Sequence, residues 1–206
     1  MVHWSNRHTL RNWIYIPRKP TPEGQEWHDI ACGLSNVIFV IEPAEQVDGL
    51  KRHEDIVGKM AATVLRLTET SGLWETSRVL VADSAFTSLE LLQELKKRKI
   101  HGIFSMKKHR FWNKGIPGEA LHDKTCSLQL GESVCIPSNN AKDFFVAGLL
   151  DMNPCLLLSN AGSMNPLDDE EAQQTRFART HDGSLDRRAF CRPEVFASFN
   201  IFHISR

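Results

Sequence analysis

The residues from Val79 to Met106 constrain the fold of this chain more than any other part of the sequence. The stretch opens with Val-Leu-Val-Ala, a continuously apolar run that is typical of a fully buried strand. Thr87 and Glu90 then have the spacing of a capping box, and the leucines after them lie at helical intervals. A second apolar run ends the stretch. Strand, helix and strand in such a short span predict a βαβ unit with parallel strands and a right-handed crossover. The predicted elements are strands at 79–83 and 101–106 and a helix at 88–98.

The rest of the chain predicts a mixed sheet with flanking helices. Apolar, β-branched runs at 27–33 and 36–42 predict a hairpin. Residues 54–70 carry apolar side chains on one helical face, and Gly72 is placed to end that helix. Further short strands are predicted at 125–130, 133–136, 143–150 and 154–159. Residues 1–26 and 162–206 are predicted to be irregular, with one short helix after Asp168. We therefore expect a single α/β domain over residues 1–206.

Composition places the chain among ordinary soluble globular proteins. It has 206 residues, enough for one domain with a buried core, and contains 41% hydrophobic and 24% charged residues. No apolar run approaches the roughly 18–20 residues that a membrane helix needs. The first twenty residues or so lack the apolar region of a secretory signal. The five cysteines, an odd number at irregular spacings, are expected to be buried free thiols. These features predict an intracellular protein that is neither secreted nor inserted in a membrane.

The net charge is zero, but basic and acidic residues are separated along the sequence. Residues 96–114 contain eight Lys or Arg and no acid, whereas 168–171 are consecutive acids that most simply form a solvated loop. Two interpretations of the basic stretch stay open. In one, it ends a helix and decorates a loop. In the other, it contacts nucleic-acid phosphates beside the sheet, with Phe111 and Trp112 available for stacking. The candidate DNA-contacting residues are Lys96, Lys97, Lys99, Lys107, Lys108, Arg110 and Lys114.

Asp83 is the candidate catalytic and metal-binding residue. It follows the first strand of the βαβ unit, and open α/β sheets bind ligands outside the carboxyl ends of their strands. A carboxylate there, followed by the small residues Ser84 and Ala85, suits a hard cation such as Mg²⁺. The alternative is that Asp83 is only a turn or capping residue. The adjacent His28 and Asp29 are weaker candidates, because neighbouring side chains on a strand point to opposite faces.

The string from Arg78 to Ser88, Arg-Val-Leu-Val-Ala-Asp-Ser-Ala-Phe-Thr-Ser, resembles the segment around the second catalytic aspartate of piggyBac-type transposases. Three further segments resemble landmarks of that family, in the same order along the chain. They are Tyr15 to Pro20, Met106-Lys-Lys with Lys114 to Pro117, and Arg192 to Asn200. The four segments span nearly the whole chain, so the ordered set is more specific than any one of them.

The resemblance implies an RNase H-like fold whose three aspartates hold two divalent cations, Mg²⁺ or Mn²⁺, for phosphoryl transfer at a DNA strand in the nucleus. Of the three aspartate positions of the family, this sequence matches only the second, at Asp83. The first would fall at or just before Met1, where Met1-Val-His-Trp-Ser-Asn contains no acid. The third would lie a few residues beyond Asn200, where the chain reads Ile-Phe-His-Ile-Ser-Arg. We therefore expect an RNase H-like core truncated at both ends, and a transposase-derived domain that is inactive as this chain.

Two other functions stay open. The first is a non-catalytic module that kept the fold and the basic surface and binds DNA or another protein. The second, less favoured, is an unrelated α/β enzyme in which Asp83 holds a single metal ion.

Overall fold

The structure is a computed structural model that describes residues 13–15, 17, 20–44, 49–106, 116–139, 143–167, 173–179 and 184–203. Its strands are β1 (Trp13–Tyr15), β2 (Glu23–Gln25), β3 (Trp27–Ala31), β4 (Ile38–Pro43), β5 (Val79–Ala82), β6 (His101–Ser105), β7 (Ser133–Pro137), β8 (Phe145–Leu150), β9 (Pro154–Ser159), β10 (Gln173–Arg179) and β11 (Leu185–Cys191). Its helices are α1 (Glu54–Val57), α2 (Lys59–Thr70), α3 (Leu89–Lys97), α4 (Gly118–Cys126) and α5 (Glu194–His203). None of these helices is both long enough and apolar enough to cross a lipid bilayer.

The chain divides into two compact units, Met1–Trp74 and Glu75–Arg206. The first unit contains the antiparallel pair β1 and β2, the hairpin of β3 and β4, and the helices α1 and α2. The second contains a five-stranded sheet, a separate two-stranded sheet of β10 and β11, and the helices α3 to α5. The hairpin predicted for residues 27–42 is confirmed. The single domain expected from the sequence stays a prediction.

The helix predicted for residues 54–70 is interrupted at Gly58. This glycine has φ +78° and ψ 167°, values that an α-helix does not contain, so α1 ends there and α2 begins at the next residue. The apolar pattern misses the break because it runs on through the interruption. The predicted end of the helix is confirmed. Gly72 has φ +66°, its N–H donates to Glu69 O and the Leu73 N–H donates to Thr68 O, which is the Schellman arrangement.

A buried arginine joins α2 to β4 in the first unit. Arg66 is 8% exposed. Its Nε donates to both carboxylate oxygens of Glu42, at 3.0 and 3.1 Å, and its Nη2 donates to Oε1 at 2.6 Å. The Nη1 group donates to the carbonyl of Arg52 at 3.0 Å. Two guanidinium nitrogens, Nε and Nη2, therefore donate to the same carboxylate. This bidentate geometry is the one in which an arginine binds a carboxylate most strongly.

The five-stranded sheet of the second unit has the strand order β5-β6-β9-β8-β7. Strands β5 and β6 are parallel, with Val79 opposite His101, and all the other pairs in this sheet are antiparallel. The predicted βαβ unit and mixed sheet are thereby confirmed. The expectation that residues 79–82 are fully buried is wrong. In the described chain β5 is an edge strand and Val79 is 50% exposed, because an apolar run reports side-chain polarity and not the number of neighbouring strands.

Helices cover both faces of this sheet. On one face α5 places Val195 and Phe196 against Ile103 and Leu157 in a buried apolar cluster. On the other face α3 and α4 bring Leu92 close to Gly102 and Thr125 close to Gly148. Because successive residues of a strand face opposite sides of the sheet, Gly102 faces α3 and Ile103 faces α5. The sheet is therefore the middle layer of three.

Several segments differ from the sequence-based expectation. Residues 118–126 form α4, so the strand predicted at 125–130 is wrong, and a turn follows the helix instead. The stretch 162–206 was expected to be irregular but contains β10, β11 and α5. Residues 1–26 contain the three-residue strands β1 and β2. The predicted helix after Asp168 lies outside the described residues. All five cysteines are free, as expected, but Cys126 and Cys135 are exposed.

The contact between α4 and β8 yields a test of this packing. A Cβ placed on Gly148 would lie 2.0 Å from Thr125 Oγ1, and both residues belong to regular elements that have little freedom to move. We expect Gly148→Ala to lower the free energy of unfolding by about 1–3 kcal/mol, as overpacking of a core typically does. Chemical denaturation measures this change.

A double-mutant cycle supplies the control. Thr125→Ala removes the colliding hydroxyl, so the double variant should lose less stability than the sum of the two single variants. Losses that add to within about 0.5 kcal/mol would contradict the contact.

Candidate metal and nucleic-acid site

The loop that carries Asp83 is fixed at the carboxyl end of the parallel pair. The Thr87 hydroxyl donates to the carbonyl of Ser105 at 2.6 Å, which joins the loop after β5 to the last residue of β6. The Phe86 N–H donates to Asp83 O at 3.1 Å. Ser88 is the N-cap of α3 and accepts from the Leu91 N–H at 3.0 Å. The predicted capping box therefore begins one residue before the N-cap of α3, because the Thr87 hydroxyl is hydrogen-bonded to β6 instead of capping the helix.

The Asp83 side chain is exposed to solvent and only weakly engaged by the protein. Among the described residues, the one hydrogen bond at its carboxylate comes from the Ala85 N–H to Oδ1 at 3.4 Å, which is long. A hard divalent cation takes six or more oxygen ligands, and a two-metal centre needs several convergent carboxylates. Among the described residues no three or more His, Cys, Asp or Glu side chains gather closely enough to hold a metal ion. The described residues therefore do not fit a two-metal centre, although Asp83 could contribute one ligand.

A second carboxylate lies at the same end of the sheet. Met106 N donates to Leu156 O at 2.9 Å, and Ser105 stands opposite Leu157, so β9 begins beyond the carboxyl end of β6. The β8–β9 turn, which contains Asp151, is therefore at the Asp83 end of the sheet. Two to three strand spacings, roughly 10–14 Å, separate Asp151 from Asp83 across the sheet, too far for both carboxylates to bind one ion directly.

Asp151 is occupied by two arginines. Arg176 donates to its Oδ1 at 2.7 Å and to its Oδ2 at 3.0 Å, and Arg192 donates to Oδ2 at 2.9 Å. Burial by itself would raise the pKa of Asp151. The hydrogen bonds from Arg176 and Arg192 outweigh that effect and hold the pKa of this carboxyl below its usual value. This cluster ties the β8–β9 turn to β10 and to Arg192, two residues before α5.

No pattern in the sequence predicts this cluster. In the sequence, Arg192 stands out only as part of a segment that resembles a family landmark. In the fold it is buried and forms an ion pair with Asp151, so this part of the landmark has a structural role. Asp151 and Arg176 are 25 residues apart in sequence and carry no spacing pattern that could link them.

The lysines of the predicted DNA surface that the structure describes lie away from Asp83. Helix α3 starts near Asp83 and runs for nine residues, about 13 Å, to the opposite end of the sheet, where Lys99 O accepts from Ser77 N at 2.8 Å. Lys96, Lys97 and Lys99 are therefore not beside Asp83, and this part of the expectation is corrected. Lys107, Lys108, Arg110 and Lys114 lie outside the described residues.

Each of these three lysines also has a carboxylate partner. Lys96 pairs with Asp143, Lys97 pairs with Glu94 at 2.5 Å and Lys99 pairs with Glu75 at 2.7 Å. Hydrogen bonds from Lys97 and, to a smaller extent, from Arg98 lower the pKa of Glu94. The hydrogen bond from Lys96 lowers the pKa of Asp143. The described lysines of a run without acids are thus paired in the fold with acids that lie outside that run, one of them on the same helix.

The Asp151 cluster makes stability depend on pH. Because the pKa of Asp151 is lower in the folded chain than in the unfolded one, its stabilising effect is present above about pH 4 and is lost as pH falls through the folded value. Asp151→Asn should cost about 2–3 kcal/mol at neutral pH, since two charged partners lose their counter-charge, and should flatten the loss of stability below about pH 4.

Thermal unfolding at a series of pH values measures both effects. Asp143→Asn is the matched control, because it makes the same change at an exposed ion pair and should alter stability little. Equal losses in the two variants would contradict the role assigned to Asp151.

Comparisons with known proteins agree with this architecture. A model of the transposase IS4 family matches residues 1–188. The fold is similar to that of the chain in a cryo-EM structure of a piggyBac transposase synaptic complex with hairpin DNA. The TM-score is 0.62 at 17% sequence identity, and the match covers 93% of this chain and 34% of that one. This chain therefore spans about a third of the length of that transposase. No curated protein sequence matches the chain.

The predicted resemblance to piggyBac-type transposases is confirmed by these matches, and the mixed sheet agrees with the RNase H-like class that the resemblance implied. Since the family model covers most of its length, the chain belongs to the transposase IS4 family.

Proposed function

We propose that the chain is a transposase-derived domain that contacts duplex DNA at the Asp83 end of its sheet and does not cleave DNA by itself. The observation that carries the proposal is the position of Asp83. An exposed and weakly engaged carboxylate stands at the carboxyl end of a parallel strand pair, in a chain of a transposase family. This is the end at which open α/β sheets bind ligands.

We propose that the chain does not cleave DNA because its described residues offer too few carboxylate ligands for two metal ions. In-line phosphoryl transfer by two metal ions requires several carboxylates on one site, and Asp83 matches one family position. The neighbouring carboxylate at the same sheet end, Asp151, is held by Arg176 and Arg192. A Mg²⁺ or Mn²⁺ ion at Asp83 would therefore complete its shell mainly with water and bind weakly.

The DNA contact in the proposal is supported by the direction of the chain. Strand β6 ends beside the Asp83 loop, and the residues that follow it in sequence are Lys107, Lys108 and Arg110, with no acid up to Lys114. The sequence that continues from this end of the sheet is therefore basic, as a contact with DNA phosphates requires. The proposal implies action in the nucleus, where a DNA-contacting domain of this family would meet its partner.

A protein-interaction module is the second candidate, and one observation favours it. In the first unit, Ile38, Phe39 and Ile41 on β4 are 44–52% exposed. Clustered exposed apolar residues are common at surfaces that bind another protein.

The first test of the proposal concerns metal and cleavage. Isothermal titration with Mg²⁺ or Mn²⁺ should show no site tighter than millimolar, and Asp83→Asn should leave the titration curve nearly unchanged. Incubation of the chain with supercoiled and linear DNA and Mn²⁺ should yield no nicked product. A micromolar site that Asp83→Asn removes, or metal-dependent nicking by the wild type, would contradict the proposal.

The second test concerns DNA. Binding of a labelled duplex should weaken steeply with salt, since each neutralised phosphate contributes a slope of about −0.9 in a plot of log affinity against log salt. Replacing Lys107, Lys108 and Arg110 together by Ala should flatten that slope by roughly 2–3 units if all three contact phosphates.

The matched control removes the same charge from the same sequence stretch. Lys96, Lys97 and Lys99 together changed to Ala should leave the slope nearly unchanged, because these lysines pair with carboxylates at the other end of the sheet. The proposal fails if the two triple variants behave alike, or if the wild type binds no DNA at low salt.

A further inference from the structure

The strands β10 and β11 form a ribbon of their own whose two faces differ. The register pairs Arg176 with Arg188, Phe177 with Arg187, and Arg179 with Leu185. Because residues opposite each other share a face and neighbours alternate, Gln174, Arg176, Arg188 and Phe190 lie on an inner face. The outer face carries Thr175, Phe177, Leu185, Arg187 and Ala189.

The inner face is anchored at the Asp83 end of the sheet. Phe190 packs against the apolar cluster of the sheet and lies so close to Gly131 that a Cβ on this glycine would come within 2.5 Å of the ring. Arg176 binds the carboxylate of Asp151 in the β8–β9 turn. Two independent contacts therefore fix the ribbon at the same end of the sheet as Asp83.

The outer face is exposed, although two of its side chains are large and apolar. Phe177 is 60% exposed and Leu185 is 67% exposed, and the exposed Arg187 stands directly opposite Phe177. The contacts that hold the ribbon on the sheet end come from the inner face, so they leave the outer face open.

We infer that the outer face of this ribbon, with Arg187 and Phe177 at its centre, is a contact surface for duplex DNA. The inference rests on the proposed function and names a surface that the sequence analysis did not contain. Arg187 would neutralise a backbone phosphate, while Phe177 would lie against sugars or base edges.

Charge and shape favour DNA as the occupant. On these strands Arg176 and Arg188 already pair with Asp151 and Asp186, so among the described side chains the exposed Arg187 gives the outer face its positive charge, which suits a polyanion. A two-stranded ribbon has the width that the major groove of B-DNA admits, and several β-ribbon proteins bind DNA in this way. The anchoring through Asp151 places the surface at the sheet end where the proposed function expects DNA.

The first test compares two neighbouring arginines on opposite faces of the ribbon. In the full chain, Arg187→Gln should weaken binding of a labelled 20-base-pair duplex on the order of threefold to tenfold, and should flatten the salt slope by about 0.9. Arg187→Lys, which keeps the charge, should restore most of the affinity. Arg188→Gln removes the same charge from the inner face, where Arg188 pairs with Asp186 at 3.3 Å, and should change the slope little.

The second test measures contact directly. Phe177 replaced by the photoreactive analogue p-benzoylphenylalanine, a change of similar shape at an exposed site, should crosslink to the duplex on illumination. The same replacement at Val79, which is 50% exposed and lies at the opposite end of the five-stranded sheet, is the control and should give no crosslink.

The outcomes separate this inference from the proposed function. If the wild type binds DNA but Arg187→Gln binds as Arg188→Gln does and Phe177 gives no crosslink, the ribbon surface is wrong and the proposed function stands. If the wild type binds no DNA, both are wrong. A crosslink at position 177 with a lowered salt slope for Arg187→Gln supports the ribbon.

Discussion

The parallel pairing of β5 with β6 decides where every candidate functional group of the second unit lies. A parallel pair needs a crossover, so the chain leaves β5 at one end of the sheet and returns through α3 to start β6 at the other end. The carboxyl ends of both strands then coincide, and the hydrogen bond from Thr87 to Ser105 joins them. An antiparallel pair would have put Asp83 beside the start of β6 and beside Lys99.

The same constraint separates charges that are adjacent in sequence. The basic stretch 96–114 begins on α3 at one end of the sheet, and β6 then carries the chain to the other end before the sequence continues with Lys107 and Lys108. At the first end the lysines form ion pairs with Asp143, Glu94 and Glu75, all of which lie outside the stretch. Exposed ion pairs of this kind contribute little stability, but they cancel the local positive charge. A charge count along the sequence therefore overstates the basic surface.

Local patterns in the sequence predicted the hairpin, the βαβ unit and the position of Asp83 after β5, because these depend on neighbours in the chain. The interruption at Gly58 and the edge position of β5 were not predictable, since the apolar pattern is the same with or without them. The Asp151 cluster and the anchored ribbon depend on residues from distant segments, and no spacing rule connects them. The charged ribbon was interpreted as irregular because its strands carry polar side chains on both faces, which hides the alternation that marks a half-buried strand.

The central claim is that duplex DNA meets this domain at the end of the sheet that holds Asp83. Amide chemical-shift perturbation on the isotopically labelled chain, titrated with a short duplex at low salt, tests it most directly. The account predicts shifts for the amides of the Asp83–Thr87 loop, of Met106 and of the outer face of the ribbon, with none at Lys96 to His101. Shifts centred on Lys96 to His101, with the Asp83 loop unchanged, would contradict it.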